Sequence, residues 1–187
     1  MIEKILLLPK PSIYIKQNED EIFKIIPELE KCKDFNQNNI WHIYDVYNHT
    51  LSVVDNVPSD LNLRLAALFH DIGKPDTYTK DENGVGHFYG HWDKSKEIFE
   101  SFAKRNNMNN EQVKQISKII QYHDINLKNL SEKEINDLLK TFSIEELKML
   151  FKLKKADLLS QNTKYHYLLE NYNEQQIRIL KLKEKIW

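Results

Sequence analysis

His70 and Asp71 stand side by side where the apolar run Leu65, Ala66, Ala67, Leu68, Phe69 ends, and Ile72, Gly73, Lys74 and Pro75 follow at once. Imidazole and carboxylate are both ligands for divalent ions, and a helix that ends in such a pair holds two donors on a rigid mount. The glycine reads as the helix C-cap and the proline as its stop. An isolated His-Asp pair more often only trims a helix end. This pair has company in His49, His91, His123 and Asp157. His42 and His49 lie in Trp41 to Val54, read as one helix, and share a face with Asp45 and Val46. His49, flanked by Val46, Leu51 and Val53, is expected to point inward, and His42 to make a polar contact near the helix start. Asp157 falls on the stripe of Leu147, Leu150 and Leu153, where a carboxylate is costly unless it is paired or binds a metal. A salt bridge with Lys154 is the plain alternative. His123 closes the amphipathic segment of Val113, Ile116, Ile119 and Ile120, with Asp124 beside it as an alternative ligand. His91 follows Gly90, which lets the backbone approach a ligand closely, and His87 lies in the preceding loop.

The elements that must position these groups are helical. All four glycines fall between Gly73 and Gly90, and apolar spacing on either side is that of helices. A short helix around Ile22 to Ile26 ends near Pro27, and Asp60 N-caps one that runs to Asp71. Further helices are expected at about 92–105, 110–122, 131–140, 143–160 and 164–185, with Ser131–Glu134 and Ser143–Glu146 as capping boxes. Thr77-Tyr78-Thr79 and His87-Phe88-Tyr89 could pair as a small hairpin across Asp81 to Gly84, a plain loop being the alternative. The fold class is all-α, with one irregular Gly-rich loop or small hairpin at about 76–90.

A chain of 187 residues fits one domain, divided as an N-terminal helical extension (1–39), a metal-binding core (40–160) and a C-terminal helix (161–187). The single cysteine, Cys32, excludes a disulfide framework and a Cys-rich zinc site, and fits a reducing cytoplasm. The apolar stretch Ile5 to Leu8 is too short for a signal-peptide core, and no stretch reaches membrane-spanning length. A net charge of −1 gives no global basic field. RNA, if bound, would need a local patch such as Lys74, Lys80 and Lys94 or the series Arg178, Lys181, Lys183, Lys185.

The order His49, His70-Asp71, Asp157 resembles the HD-domain metal-dependent phosphohydrolases, and the extra histidines resemble that family's two-metal branch. The stretches His42 to Thr50, Arg64 to Pro75 and Gly86 to His91 are similar to the HD domain that follows the catalytic head in many bacterial CCA-adding tRNA nucleotidyltransferases. The similarity is specific over about 40–125 and fades towards Asp157. Trp92-Asp93 after His91 departs from the pattern, where Glu or a similar residue is expected. With no Asp-x-Asp pair after a Gly-Ser turn, the nucleotidyltransferase head is expected to be absent, and nucleotide addition with it.

The resemblance implies a divalent transition metal, one or two ions per chain. The thiolate-free donor set suits Mn, Fe, Co, Ni or Zn. His49, His70, Asp71 and Asp157 would hold a first ion, and Asp71 would bridge to a second held by His91 and His123. Two ions about 3.5–4 Å apart acidify a shared water and stabilise the attacking and leaving oxygens of a phosphoester. Asp71 and Lys74 are the expected catalytic pair. Lys74, His87 and Arg64 are the expected substrate contacts, Arg64 reaching Asp71 from behind or pairing with Asp60. The expected function is hydrolysis of a nucleotide or nucleotide-derived phosphoester. The alternatives are a catalytically silent module that binds RNA or a protein, and a mononuclear nucleotide triphosphohydrolase.

Overall fold

Proline and asparagine break the first thirty residues into short helices: α1 (Ile2–Leu6), α2 (Pro11–Gln17), α3 (Glu19–Ile25) and α4 (Pro27–Glu30). Pro11 and Pro27 sit in the first turn of their helices, where a missing N–H costs nothing. A computed structural model describes residues 1–128 and 130–184 of the chain. Lys185 of the basic C-terminal series lies outside the described residues.

The next helix starts later than the spacing predicts. Asp45 accepts a hydrogen bond from the Asn48 N–H at 2.6 Å and so opens α5 at Val46, giving Val46–Asn56. Trp41 and His42 therefore precede the helix. Asp60 caps α6 (Leu61–Phe69) by accepting from the Leu63 N–H at 2.9 Å. From Leu63 to Phe69 every residue of α6 is buried, as expected of a helix enclosed on all sides. Phe69 packs against Phe99 and Phe102, ring centroids 5.3 and 4.9 Å away, and burial of each such ring stabilises by roughly 1.5–3 kcal/mol.

Helix α6 stops at Phe69, and the His70–Gly73 turn leads into a short helix, α7 (Lys74–Thr77). Pro75 thus sits in the first turn of a new helix instead of closing the old one. Gly73 is right-handed (φ −82°), so it is no left-handed C-cap. A Cβ there would lie 2.6 Å from the Ser95 nitrogen and 2.8 Å from the His91 oxygen. Close approach of the next helix, not backbone freedom, is what requires glycine.

Strands β1 (Thr79–Lys80) and β2 (Gly86–His87) pair antiparallel, Thr79 opposite His87, which makes the small hairpin a two-residue ladder. Helix α8 (His91–Arg105) follows Gly90, whose φ is +81°. The remaining helices are α9 (Asn110–Tyr122), α10 (Glu132–Thr141), α11 (Ile144–Ser160) and α12 (Leu168–Glu184). The capping boxes Ser131–Glu134 and Ser143–Glu146 are both formed. Helices α5, α6, α8, α9 and α11 surround the core that carries the site. The fold is an all-helical bundle with one hairpin. Among the described residues no helix is long and apolar enough to cross a membrane. Lys183 on α12 is buried and donates to the Leu139 carbonyl, so it adds nothing to a solvated basic stripe.

Candidate metal centre

Five segments deliver the site. His49 comes from the middle of α5, His70 and Asp71 from the turn after α6, His91 from the first residue of α8, His123 from the end of α9, and Asp157 from the last turn of α11. All are fully or nearly buried except Asp157, whose side chain is 14% exposed.

Each imidazole is fixed by its outer nitrogen. Nδ1 of His70 lies 2.7 Å from the Ala67 oxygen, Nδ1 of His91 2.8 Å from that of Phe88, and Nδ1 of His123 2.7 Å from that of Ile120. His49 uses the Ser160 carbonyl at 3.4 Å. A carbonyl only accepts, so Nδ1 carries the proton and each neutral ring turns an Nε2 lone pair inward.

Those inner nitrogens meet the two oxygens of Asp71 on opposite sides. Oδ2 is 3.4 Å from His49 Nε2 and 3.2 Å from His70 Nε2; Oδ1 is 3.3 Å from His91 Nε2 and 3.4 Å from His123 Nε2. Asp157 Oδ1 lies 3.0 Å from His49 Nε2. Donors held about 2.1 Å from a single ion lie about 3.0 Å apart at right angles and about 3.4 Å apart at tetrahedral angles. The spacings are those of ligand edges.

Two further observations test the fit of a cation. The Nε2 atoms of His49 and His70 are buried and have no hydrogen-bond partner, although carboxylate oxygens stand close by. His91 and His123 bring their Nε2 atoms to 3.2 Å, and with both Nδ1 protons spent on carbonyls two lone pairs face each other. Such an arrangement is repulsive until a positive charge lies between them. The residues fit divalent ions.

The carboxylates are tuned in the same sense. Burial alone raises the Asp71 carboxyl, but His70, Lys74 and His123 outweigh it and hold Asp71 well below the usual range. Burial likewise raises Asp157, and the rings of His49 and His70 overcome it, so this group too is held low. Burial works against a charged His70, yet Asp71 and Asp157 push its pKa up.

A cavity of about 410 Å³ opens over the cluster, lined among others by His42, Asp71, Lys74, His91, His123 and Asp157. Lys74 Nζ lies 2.7 Å from Asp71 Oδ2 and donates to Gln37 Oε1 at 2.8 Å. His87 reaches the wall of the cavity, but its Nε2 is 3.0 Å from Asp81 Oδ2. Arg64 is elsewhere. Its guanidinium donates to the Leu6 and Leu8 carbonyls, the latter at 2.6 Å, and reaches neither Asp71 nor Asp60. The expected placement extended the helical phase of α6 to Asp71, but the helix ends at Phe69. Lys154 donates to the His123 carbonyl at 3.0 Å, and no Lys154–Asp157 ion pair forms among the described residues. Asp124 lines the cavity while His123 enters the cluster.

In the sequence His42 reads only as a polar contact near the start of the helix. It does bond Asn39, yet it also offers a ring nitrogen within 4.8 Å of donor atoms of His49 and Asp71. Helical phase could not find it, since it lies on the loop before α5.

The sequence matches the HD domain family over residues 40–162, most of the chain and all of the clustered residues. The chain belongs to the HD domain family. It is similar to an A-adding tRNA nucleotidyltransferase of Deinococcus radiodurans, 29% identical over 108 residues, covering 54% of this chain and 25% of that protein. It is also similar to a CC-adding tRNA nucleotidyltransferase of Thermus thermophilus, 39% identical over 79 residues, covering 39% of this chain and 18% of that protein. The chain spans a quarter or less of these relatives. HD domains bind divalent metals and as a superfamily are metal-dependent phosphohydrolases.

Proposed function

We infer that this HD domain hydrolyses a phosphoester of a nucleotide or of a nucleotide-derived molecule at a two-ion centre. The observation that carries the reading is the Asp71 carboxylate, one oxygen turned to His49 and His70 and the other to His91 and His123. His49, His70, Asp71 and Asp157 would hold one ion, and Asp71, His91 and His123 would hold the other. When bound, the ions supply Lewis-acid polarisation of a phosphoryl oxygen and an acidified water.

The chain's own groups do the rest. Lys74 brings a cation to the cavity, held by Asp71 and Gln37, and in this reading its Nζ contacts a non-bridging phosphate oxygen or a leaving group. Trp41 and Tyr89 border the same cavity as residues 44% and 75% exposed, which suits a base stacked above the phosphate. The tRNA-directed names of the relatives add oligoribonucleotide ends to the substrates worth testing.

Metal analysis of chain purified without chelator, followed by a panel of cyclic nucleotides, 3′- and 5′-mononucleotides, short oligoribonucleotides and aryl phosphates, tests the reading. The expected outcome is metal-dependent release of phosphate or opening of a cyclic ester. His70→Ala and Asp71→Ala should each abolish it while circular dichroism shows nearly unchanged helicity. Turnover retained in both variants, or none from metal-loaded chain on any substrate class, rejects the function.

A further inference from the structure

The geometry points to His42 as an additional ligand of the ion held by His49, His70, Asp71 and Asp157. This rests on the metal-centre reading and goes beyond it, because the HD pattern of the sequence does not require a donor from the loop before α5.

Asn39 fixes the state of the ring. Its Oδ1 accepts the backbone N–H of Trp41 at 3.1 Å and that of His42 at 3.3 Å, so the atom there is the amide oxygen. The same oxygen lies 2.9 Å from His42 Nδ1, which must therefore donate. A neutral His42 then carries its lone pair on Nε2, as the four clustered histidines do. With Nδ1 committed, Nε2 is the atom free to act as the donor that stands within 4.8 Å of donor atoms of His49 and Asp71.

Ring geometry agrees. The His42 and His49 centroids are 4.9 Å apart at 87°, against 5.5 Å and 54° for His49–His70 and 5.0 Å and 73° for His91–His123, the two histidine pairs that each share an ion in this reading. Four protein donors leave an octahedral ion two positions. With His42 in one, a single position would be left for water or a phosphate oxygen, and His42 itself lines the cavity from which either would come.

The loop is tied to the helix that brings Asp157. The Asn162 N–H donates to the Trp41 carbonyl at 2.8 Å and its side-chain amide to that of Ile40 at 3.3 Å. Trp41 also packs on Tyr165, ring centroids 4.1 Å apart. A donor that binds an ion from this loop therefore joins the cavity's aromatic rim to the metal.

Cobalt(II) added to the chelator-treated 187-residue chain tests the assignment without reference to turnover. Each ligating ring keeps a proton on Nδ1, so each gives one exchangeable, paramagnetically shifted proton resonance. With both positions filled, five are expected in the wild type and four in His42→Ala. The variant should also bind cobalt at least about tenfold more weakly, the scale on which even indirect metal contacts matter. His42→Gln, which keeps a side chain against Asn39, should lose the same resonance, and circular dichroism checks that both variants fold. Four resonances in the wild type, with unchanged cobalt affinity in both variants, would overturn the assignment while sparing the metal centre. A wild type that takes up no cobalt would overturn both.

Discussion

In the proposed metal centre a proton and an ion would compete for the same nitrogen of a ring, and His70 shows the contest best. Its neighbours Asp71 and Asp157 push its pKa above the ordinary imidazole value, so in the metal-free protein its charged form persists to higher pH. Ligation needs the neutral ring. Ion binding must therefore expel a proton, and affinity rises with pH up to and through the raised His70 pKa and falls as pH drops below it. Asp71 and Asp157, held low, stay ionised across neutral pH and add no slope there. Manganese titrations by calorimetry at pH 6, 7 and 8, in buffers of different ionisation heat, should show proton release and affinity falling by up to about tenfold per unit of acidification for each proton displaced. A flat profile would contradict this. At the same scale, Arg64 shows what residue type alone conceals: its charge invites a place beside Asp71, and its partners are main-chain oxygens of Leu6 and Leu8 near the start of the chain.

Two glycines exchange their expected reasons at the scale of elements. Gly73 reads as a conformational cap but is needed for contact, its N–H donating to Ser95 Oγ at 2.9 Å with α8 pressed against its Cα. Gly90 reads as a point of close approach, but a Cβ there would meet no atom within 4 Å, and the φ of +81° is what favours glycine. Gly73→Ala should therefore cost about 1–3 kcal/mol by overpacking and weaken metal binding, because α8 carries His91. Gly90→Ala should cost about 1–2 kcal/mol from left-handed strain. Denaturant midpoints and cobalt affinity distinguish them, and equal metal affinity in the two variants would argue against the packing explanation. The capping boxes were legible because a Ser and a Glu three residues apart satisfy each other within one turn. The start of α5 was not, since the apolar spacing continues back past Asp45 and only the cap bond to Asn48 marks the boundary.

For the molecule as a whole, the His-Asp turn and the helical class were readable from local pattern, and similarity over about 40–125 pointed to the family. The route by which the first helices join the bundle was not readable, because it depends on Arg64 meeting carbonyls 58 and 56 residues away. Arg64→Met removes a buried charged donor from two acceptors and should destabilise the fold by about 2 kcal/mol, measured by urea unfolding, while cobalt affinity stays at the wild-type value. A loss of affinity would restore Arg64 to the site. The Nδ1 bonds carry a wider consequence. Three of the four clustered rings are fastened to the carbonyl three residues before them, at the rim of a helix. The receptacle is thus shaped by main chain already fixed by the core, and an arriving ion would fill it without moulding it. Cations of the wrong radius would then meet a stiff frame, which would make selectivity among metals a property of the bundle's rigidity as much as of its donor atoms.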